Sequence, residues 1–325
     1  MSVYTQLEPS DIQSILDQYA QGQLLEYHGI AAGIENTNYF VTATSADREQ
    51  EKREFVLTVF ETTSSANLSA YFDLMAQLAA RDLPVAEPYK NARGLYVCEL
   101  ENKPAALIER LPGNSVTAPN QYQCAEIGRF LAGMHEISMP GKQQLMNTRG
   151  AEWRGKILAR LLEAGIEHDN HLLAASHESV SEFEQADLPR GIVHGDLFHD
   201  NALFLLDELT GVIDFYYAHS APLIYDLAVC VADWCYVQNG GDFDEDNAKA
   251  LIAGYREIRA ISGAEVKSWA TSLELVGLRF YLSRFHDKHF PRAGVMTQEK
   301  DPDVFLDLLK LARNNPTRLH SMLGD

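Results

Sequence analysis

Cysteine is scarce in this chain and scattered. Four residues, Cys98, Cys124, Cys230 and Cys235, sit singly in apolar segments with no C-x-x-C pair, which argues against a disulfide framework and predicts buried thiols in a reducing compartment. No apolar run approaches the ~18 residues that a membrane span needs. The opening residues MSVYTQLEPSD hold neither a basic stretch nor an apolar one, so the expectation is a cytoplasmic chain with no membrane partner. Positive charge is short as well: 27 Lys and Arg stand against 46 Asp and Glu, a net charge of -19. Nucleic acid is therefore excluded as a partner, because neutralising its phosphates takes clustered cations. Internal repeats, low-complexity linkers and a G-x-G-x-x-G loop are absent too. On oligomeric state the sequence is silent.

What is present suffices for two cores. A chain of 325 residues with 46% apolar content exceeds what one core usually supports. Ser10 to Gln18 reads as a capped amphipathic helix, followed by strand-like runs at Leu24 to Ala31, Thr37 to Ala43 and Glu54 to Phe60 that form one antiparallel sheet, with Ala46 to Arg53 as a solvated turn. Ala66 to Arg81 has a helical period, and two further strands are expected at Arg93 to Val97 and Ala105 to Glu109. Leu111-Pro112-Gly113-Asn114 then breaks the pattern, and helices dominate from Pro119 onward. Strands with one helix, a Pro-Gly break, then helices describe an α+β fold of two lobes, residues 1–110 and 111–325.

The chemistry concentrates in Ile192 to Tyr217, IVHGDLFHDNALFLLDELTGVIDFYY. Asp196 and Asn201 stand as D-x-x-x-x-N after His194, and Asp214 follows thirteen residues after Asn201. Phosphoryl-transfer kinases use this layout: one Asp orients and deprotonates the attacking hydroxyl, while an Asn and a second Asp hold Mg²⁺ against nucleotide phosphates. Two short apolar runs, Ala202 to Leu206 and Gly211 to Phe215, flank Asp207 to Thr210 as a hairpin. Pairing Leu206 with Gly211 places Asp214 opposite Leu203, so both ligands reach one end. His194 and His199 do not read as a zinc site, since no Cys or Glu completes the spacing. On the strand side, Gly33 to Phe40 occupies the position of a phosphate-covering loop, with Asn36, Thr37 and Asn38 as donors, and adenine is expected at the backbone of Glu109 to Leu111.

In this architecture, HGD, x-x-x-x-N and IDF resemble the aminoglycoside phosphotransferase and choline kinase superfamily, with its protein-kinase-like fold. GIENTNYFV at Gly33 to Val41, HGDLFHDNALF, LTGVIDFYYA, YDLAVCVADWC and RFYLSRFHD together resemble the type II homoserine kinases, from Leu7 to His289 at least. That resemblance implies ATP and Mg²⁺, Asp196 as base, Asn201 and Asp214 as metal ligands, and L-homoserine as acceptor. Thr58 stands where kinases commonly place a Lys that pairs with phosphates, and Tyr71 where its Glu partner stands. His199 and Ala232 also depart from the superfamily, where Arg and Asn are common.

A homoserine site needs a fixed cation for the carboxylate, and the planar fork of Arg is suited to it. Arg279 and Arg284 are five apart on an expected helix, about 140° around its axis, so one faces inward; Arg279 is the candidate. Asp233 and Trp234 are candidates for the ammonium end and the apolar wall. Alternative acceptors are an aminoglycoside, choline, methylthioribose or an amino alcohol, and the missing Lys leaves a non-catalytic nucleotide-binding module as a third reading. An acidic channel rich in Tyr and Trp favours a cationic amine, whereas a buried Arg favours an amino acid.

Overall fold

The structure, a computed structural model, describes residues 5–30, 36–45, 51–61, 63, 65–100, 102–138, 144–237, 241–291 and 300–324. Gly33 to Glu35 of the expected phosphate loop, Ala46 to Gln50 of the expected turn, and Arg292 lie outside the described residues. The chain divides into two compact units, with the boundary between Pro112 and Gly113.

The first unit is built on α1 (Pro9–Gln18), β1 (Leu24–Gly29), β2 (Thr37–Thr44), β3 (Lys52–Val59), α2 (Ser65–Ala79), β4 (Val97–Leu100) and β5 (Lys103–Glu109). Its strands form one antiparallel sheet in the order β1-β2-β3-β5-β4. Alternation decides which face is buried. Tyr39, Val41 and Ala43 of β2 and Phe55, Leu57 and Val59 of β3 join Ile12, Ile15 and Leu16 of α1 in one core. Asn38 and Thr58 are register partners, one position out of phase with that core, and so present the opposite face. The strand expected at Arg93 to Val97 is instead a turn, with the chain extended from Val97. Asn91 closes it by accepting, through its side-chain oxygen, from the backbone N–H of Arg93 at 2.9 Å and of Leu95 at 3.1 Å, an Asx turn that competes with the ladder.

Helices dominate the second unit. Among the described residues they are α3 (Gln121–Ser138), α4 (Ala151–Glu163) and α5 (Asn170–Gln185), then, after an interlude of short strands, α6 (Leu223–Trp234), α7 (Glu245–Ile258), α8 (Gly263–Lys267), α9 (Trp269–His289), α10 (Asp303–Asn314) and α11 (Pro316–His320). On α6 every described side chain but Asp233 is buried, and on α9 Trp269, Ala270 and every residue from Ser272 to Leu282 are. A helix apolar around its whole girth belongs in a core. The interlude consists of β6 (Arg190–Val193), β7 (Ala202–Leu205), β8 (Glu208–Val212) and β9 (His219–Pro222). Strands β6 and β9 pair antiparallel, with Val193 opposite His219. Everything from His194 to Ala218 is thus an excursion closed at its base by that one register pair.

Within the excursion the β7–β8 hairpin differs from expectation. Leu205 pairs with Glu208, so the turn is the two residues Leu206 and Asp207 rather than four. Leu206 adopts φ 56, left-handed for a leucine, which is what a two-residue hairpin turn requires. A register shift follows after Leu203, and Thr210 fills it by donating its hydroxyl to the Leu203 carbonyl at 3.0 Å. Ile213 N–H donates to the Asn201 carbonyl at 3.0 Å, so Asp214 is next to the partner of Asn201 and not opposite Leu203. Both residues sit at the open end of the hairpin.

Candidate active site

Asp196 lies in the tight loop that leaves β6. Gly195 before it has φ 75, and the loop is held from below by Asp226 of α6. The fully buried Asp226 carboxylate accepts from the backbone N–H of His194 at 2.6 Å and of Gly195 at 2.9 Å. Burial disfavours its charge, but the hydrogen bonds from His135 and the Gly195 N–H prevail and hold its pKa below the ordinary carboxylate value. His135 Nε2 is 3.2 Å from Asp226, its Nδ1 is 2.8 Å from the Tyr255 hydroxyl, and that hydroxyl accepts from Arg259 at 3.0 Å. Arg259 in turn pairs with Glu265 at 2.9 Å. A buried polar chain therefore runs from the loop through α3 and α7 to α8, ending on an ion pair.

His194 is structural. It is wholly buried, which pushes its pKa down, and the neutral ring accepts from Asp196 N–H at Nδ1 (3.3 Å) while its Nε2–H donates to the Ile213 carbonyl (3.1 Å). One imidazole thus ties the Asp196 loop to the strand that delivers Asp214. Asn201 turns its amide nitrogen to Asp196, 2.8 Å from the backbone carbonyl and 3.4 Å from Oδ2, which leaves the amide oxygen on the other side as its remaining donor atom. Asp214 is exposed and left-handed at φ 65, a conformation that Asp tolerates at some cost and that recurs at functional sites.

Arg279 is buried and reaches Asp196, Nη1 to Oδ1 at 3.2 Å. It also lines a cavity of about 300 Å³. Four arginines, Arg149, Arg154, Arg190 and Arg279, and two glutamates, Glu152 and Glu184, contribute to the wall, a local excess of positive charge in a chain of net charge -19. His219 lines it too, and its ring carbon would be 3.0 Å from a Cβ on Gly195. The cavity therefore abuts the loop that carries Asp196. Arg284 does not line this cavity and donates to the Asp301 carbonyl at 2.9 Å, although the charges of Asp233 and Asp196 act on it.

Asp233 and Trp234, expected at the acceptor, do not line this cavity. Asp233 accepts from the backbone N–H of His199 and meets its Nδ1, both at 2.7 Å, while the buried Trp234 donates its indole N–H to the Leu197 carbonyl at 3.0 Å. They brace the loop from behind. In the first unit Thr58 donates its hydroxyl to the Asn38 side-chain oxygen at 2.8 Å. Thr37 lies on the other face, accepting from Thr5 N–H at 3.0 Å and donating to Glu61 at 2.7 Å. Asn36 and Leu111 are half-buried, and Glu109 ends β5 opposite Phe55.

A base candidate, two candidate oxygen ligands flanking one hairpin and a small cavity beside the base are the parts a phosphotransferase site would use. Residues 26–261 match the model of the phosphotransferase enzyme family, and the chain belongs to that family. Within it the chain groups with the homoserine kinases. It is 41% identical to the homoserine kinase of Methylobacillus flagellatus over 95% of each chain. To that of Neisseria meningitidis serogroup B it is 36% identical over 95% of this chain and 99% of the other. Among solved structures, an amicoumacin kinase matches with a TM-score of 0.69 at 19% identity over 94% of each chain. A microcompartment-associated aminopropanol kinase matches at 0.65 and 18%, over 96% of this chain and 99% of that one. These two likenesses establish the protein-kinase-like fold.

Proposed function

We propose that this chain is an ATP-dependent homoserine kinase, which transfers the γ-phosphoryl group of ATP to the hydroxyl of L-homoserine. The observation that carries the reading is the double engagement of Arg279, which touches Asp196 at 3.2 Å and lines the arginine-rich cavity. A molecule with a hydroxyl at one end and a carboxylate at the other is complementary to that pair. A cavity of about 300 Å³ is at the small end for ligand sites and suits a single amino acid. Its excess of guanidinium charge disfavours polycationic aminoglycosides and quaternary choline alike.

In this mechanism the acceptor hydroxyl hydrogen-bonds Asp196, which orients it and takes its proton as the bond to phosphorus forms. Arg279 fixes the rotamer of Asp196 and meets the acceptor carboxylate. The 1–110 lobe binds the nucleotide, with adenine at the backbone of Glu109 and the adjoining Leu111 and the phosphates near Asn36, Asn38 and Thr58; Thr37 leaves that set, because its buried hydroxyl is spent on Thr5 and Glu61 on the opposite face. Asn201 and Asp214 would hold Mg²⁺. The donor set fits, because the amide nitrogen of Asn201 is spent on Asp196 and two hard oxygens flanking one hairpin suit a cation that takes its remaining ligands from water and phosphate. Bound there, the metal supplies neutralisation of phosphate charge. The reaction belongs to the cytoplasm, where ATP is at hand and the four buried cysteines stay reduced; among the described residues no helix is long and apolar enough to cross a membrane.

The test is ADP release with ATP and a panel of alcohols: L-homoserine, choline, methylthioribose, an aminoglycoside and 3-aminopropanol. Homoserine is expected to give the highest kcat/KM. A higher value for any other member overturns the assignment.

A further inference from the structure

Among the arginines of the cavity, two are held by acidic and backbone partners on α5. Arg154 is wholly buried and bidentate to Glu184, at 3.0 and 2.6 Å, and Arg190 donates to the Glu184 backbone carbonyl at 3.0 Å. The other two rest on aromatic rings. Arg149 has its guanidinium carbon 4.8 Å from the Trp153 ring centroid and 5.3 Å from that of Tyr217, and its Nη2 donates to the Tyr217 hydroxyl at 3.0 Å. Arg279 sits 5.1 Å from the same Tyr217 ring. Tyr217 is three residues beyond Asp214, in the turn that carries the chain from the candidate metal ligand into β9.

We propose that Arg149 and Arg279, both seated on Tyr217, form a two-guanidinium clamp for the acceptor's α-carboxylate, and that Arg149 is the residue that selects an amino acid over the amino alcohol lacking it. The inference rests on the homoserine reading above. Seating on a ring face orients a guanidinium while its N–H donors lie in the plane of the fork, along the edge that recognises a carboxylate. Arg279 by itself is shared with Asp196, so a second cation is needed to hold a carboxylate while the first keeps the base in place. Four bonds separate the hydroxyl oxygen of homoserine from its carboxylate carbon. That span suits an arginine in direct contact with the base, with a second arginine across the ring from it or beside it. Trp153 follows Arg149 by four residues and stands on the first turn of α4, which gives the clamp a rigid footing outside the catalytic excursion.

The experiment compares L-homoserine with 3-aminopropanol, its decarboxylated analogue, in the full-length enzyme and in Arg149→Ala and Arg149→Lys. It also measures L-2-aminobutyrate, which keeps carboxylate and ammonium but has no hydroxyl, as a competitive inhibitor. Arg149→Ala is expected to raise KM for homoserine and Ki for 2-aminobutyrate together, roughly 10- to 100-fold, the size of a lost charged hydrogen bond. KM for ATP and the constant for 3-aminopropanol, read as KM or as Ki against homoserine, are expected to stay within about 3-fold of wild type. Arg149→Lys should fall between, keeping charge without the planar fork, and it carries the test should the alanine variant fail to fold. Losses of equal size on homoserine and 3-aminopropanol would make Arg149 a structural residue and overturn the clamp, as would an unchanged Ki for 2-aminobutyrate. A wild-type enzyme that does not phosphorylate homoserine at all overturns the underlying assignment instead, a result distinct from either.

Discussion

Replacing Gly195 by alanine tests how tightly the catalytic loop is fixed. Its φ of 75 costs an L-residue about 1 to 2 kcal/mol. The added Cβ would also stand 2.9 Å from the Tyr217 carbonyl oxygen and 3.0 Å from His219 Cε1. Neither neighbour yields readily, because that carbonyl accepts from His219 Nδ1 at 2.9 Å and His219 is pinned opposite Val193. Overpacking of this kind costs about 1 to 3 kcal/mol, so the folded state should lose about 3 kcal/mol, a large share of a typical domain's stability. Relief by shifting the loop moves Asp196 relative to Arg279, so kcat should fall at least ~10-fold under conditions where the variant is fully folded. Gly94→Ala is the control: φ is 76 there too, but a Cβ meets nothing within 4 Å, so only the backbone cost of about 1 kcal/mol is expected, with kcat unchanged. Guanidinium chloride titration and ADP release measure the two quantities. If Gly195→Ala behaves like Gly94→Ala in both, the loop is not clamped as described.

Three further outcomes are expected. Asp196→Asn should lower kcat at least ~100-fold with ATP binding intact by equilibrium dialysis; near-native turnover would remove Asp196 as the base. Asp214→Ala should abolish Mg²⁺-dependent turnover with an unchanged circular dichroism spectrum, and a nucleotide complex with Mg²⁺ on other side chains would refute the ligand assignment. The hydrogen bond to Asp233 raises the pKa of His199, so the contribution of this pair to stability is full below the ordinary value of 6.5 and is lost as pH rises through the raised folded value. Melting curves of wild type and His199→Ala should therefore converge as pH rises, and parallel profiles from about pH 5 to 9 would contradict that linkage.

Sequence reasoning reached the first unit and the catalytic segment because both are written in local pattern. Period-2 burial in β2 and β3 is visible in the residues themselves, and His194, Asp196, Asn201 and Asp214 share one stretch. The hairpin register was not legible, since nothing marks Leu206 as the residue that goes left-handed or Thr210 as the one that fills the irregularity. Arg93 to Val97 carries a weak strand pattern, and the Asn91 side-chain bonds that make the segment a turn outweigh it. For Asp233 and Trp234 the partners that engage them, His199 and the Leu197 carbonyl, are distant in sequence and legible only in the fold. The cavity was harder still, because its arginines come from separate elements. Arg149 and Trp153, four residues apart across the start of α4, are its one local signal. Nothing near His135 in the sequence marks its link to Asp226, 91 residues on, which only the fold makes.

The bracing of the catalytic loop also sets an order of assembly. The acceptor for His194 N–H arrives 32 residues later, on Asp226, and the guanidinium that steadies Asp196 arrives 83 residues later, on Arg279. On the ribosome, at ~5 to 20 residues per second, the residues of the motif emerge seconds before anything can shape them. Through that interval two backbone N–H groups and a carboxylate must remain hydrated, and the β6–β9 pair that closes the excursion cannot form until its second strand is made. Long-range closure of this kind is slow relative to helix formation, so the catalytic geometry should be among the last features to mature, and a nascent chain that has not reached α9 should bind neither substrate nor inhibitor at the acceptor site.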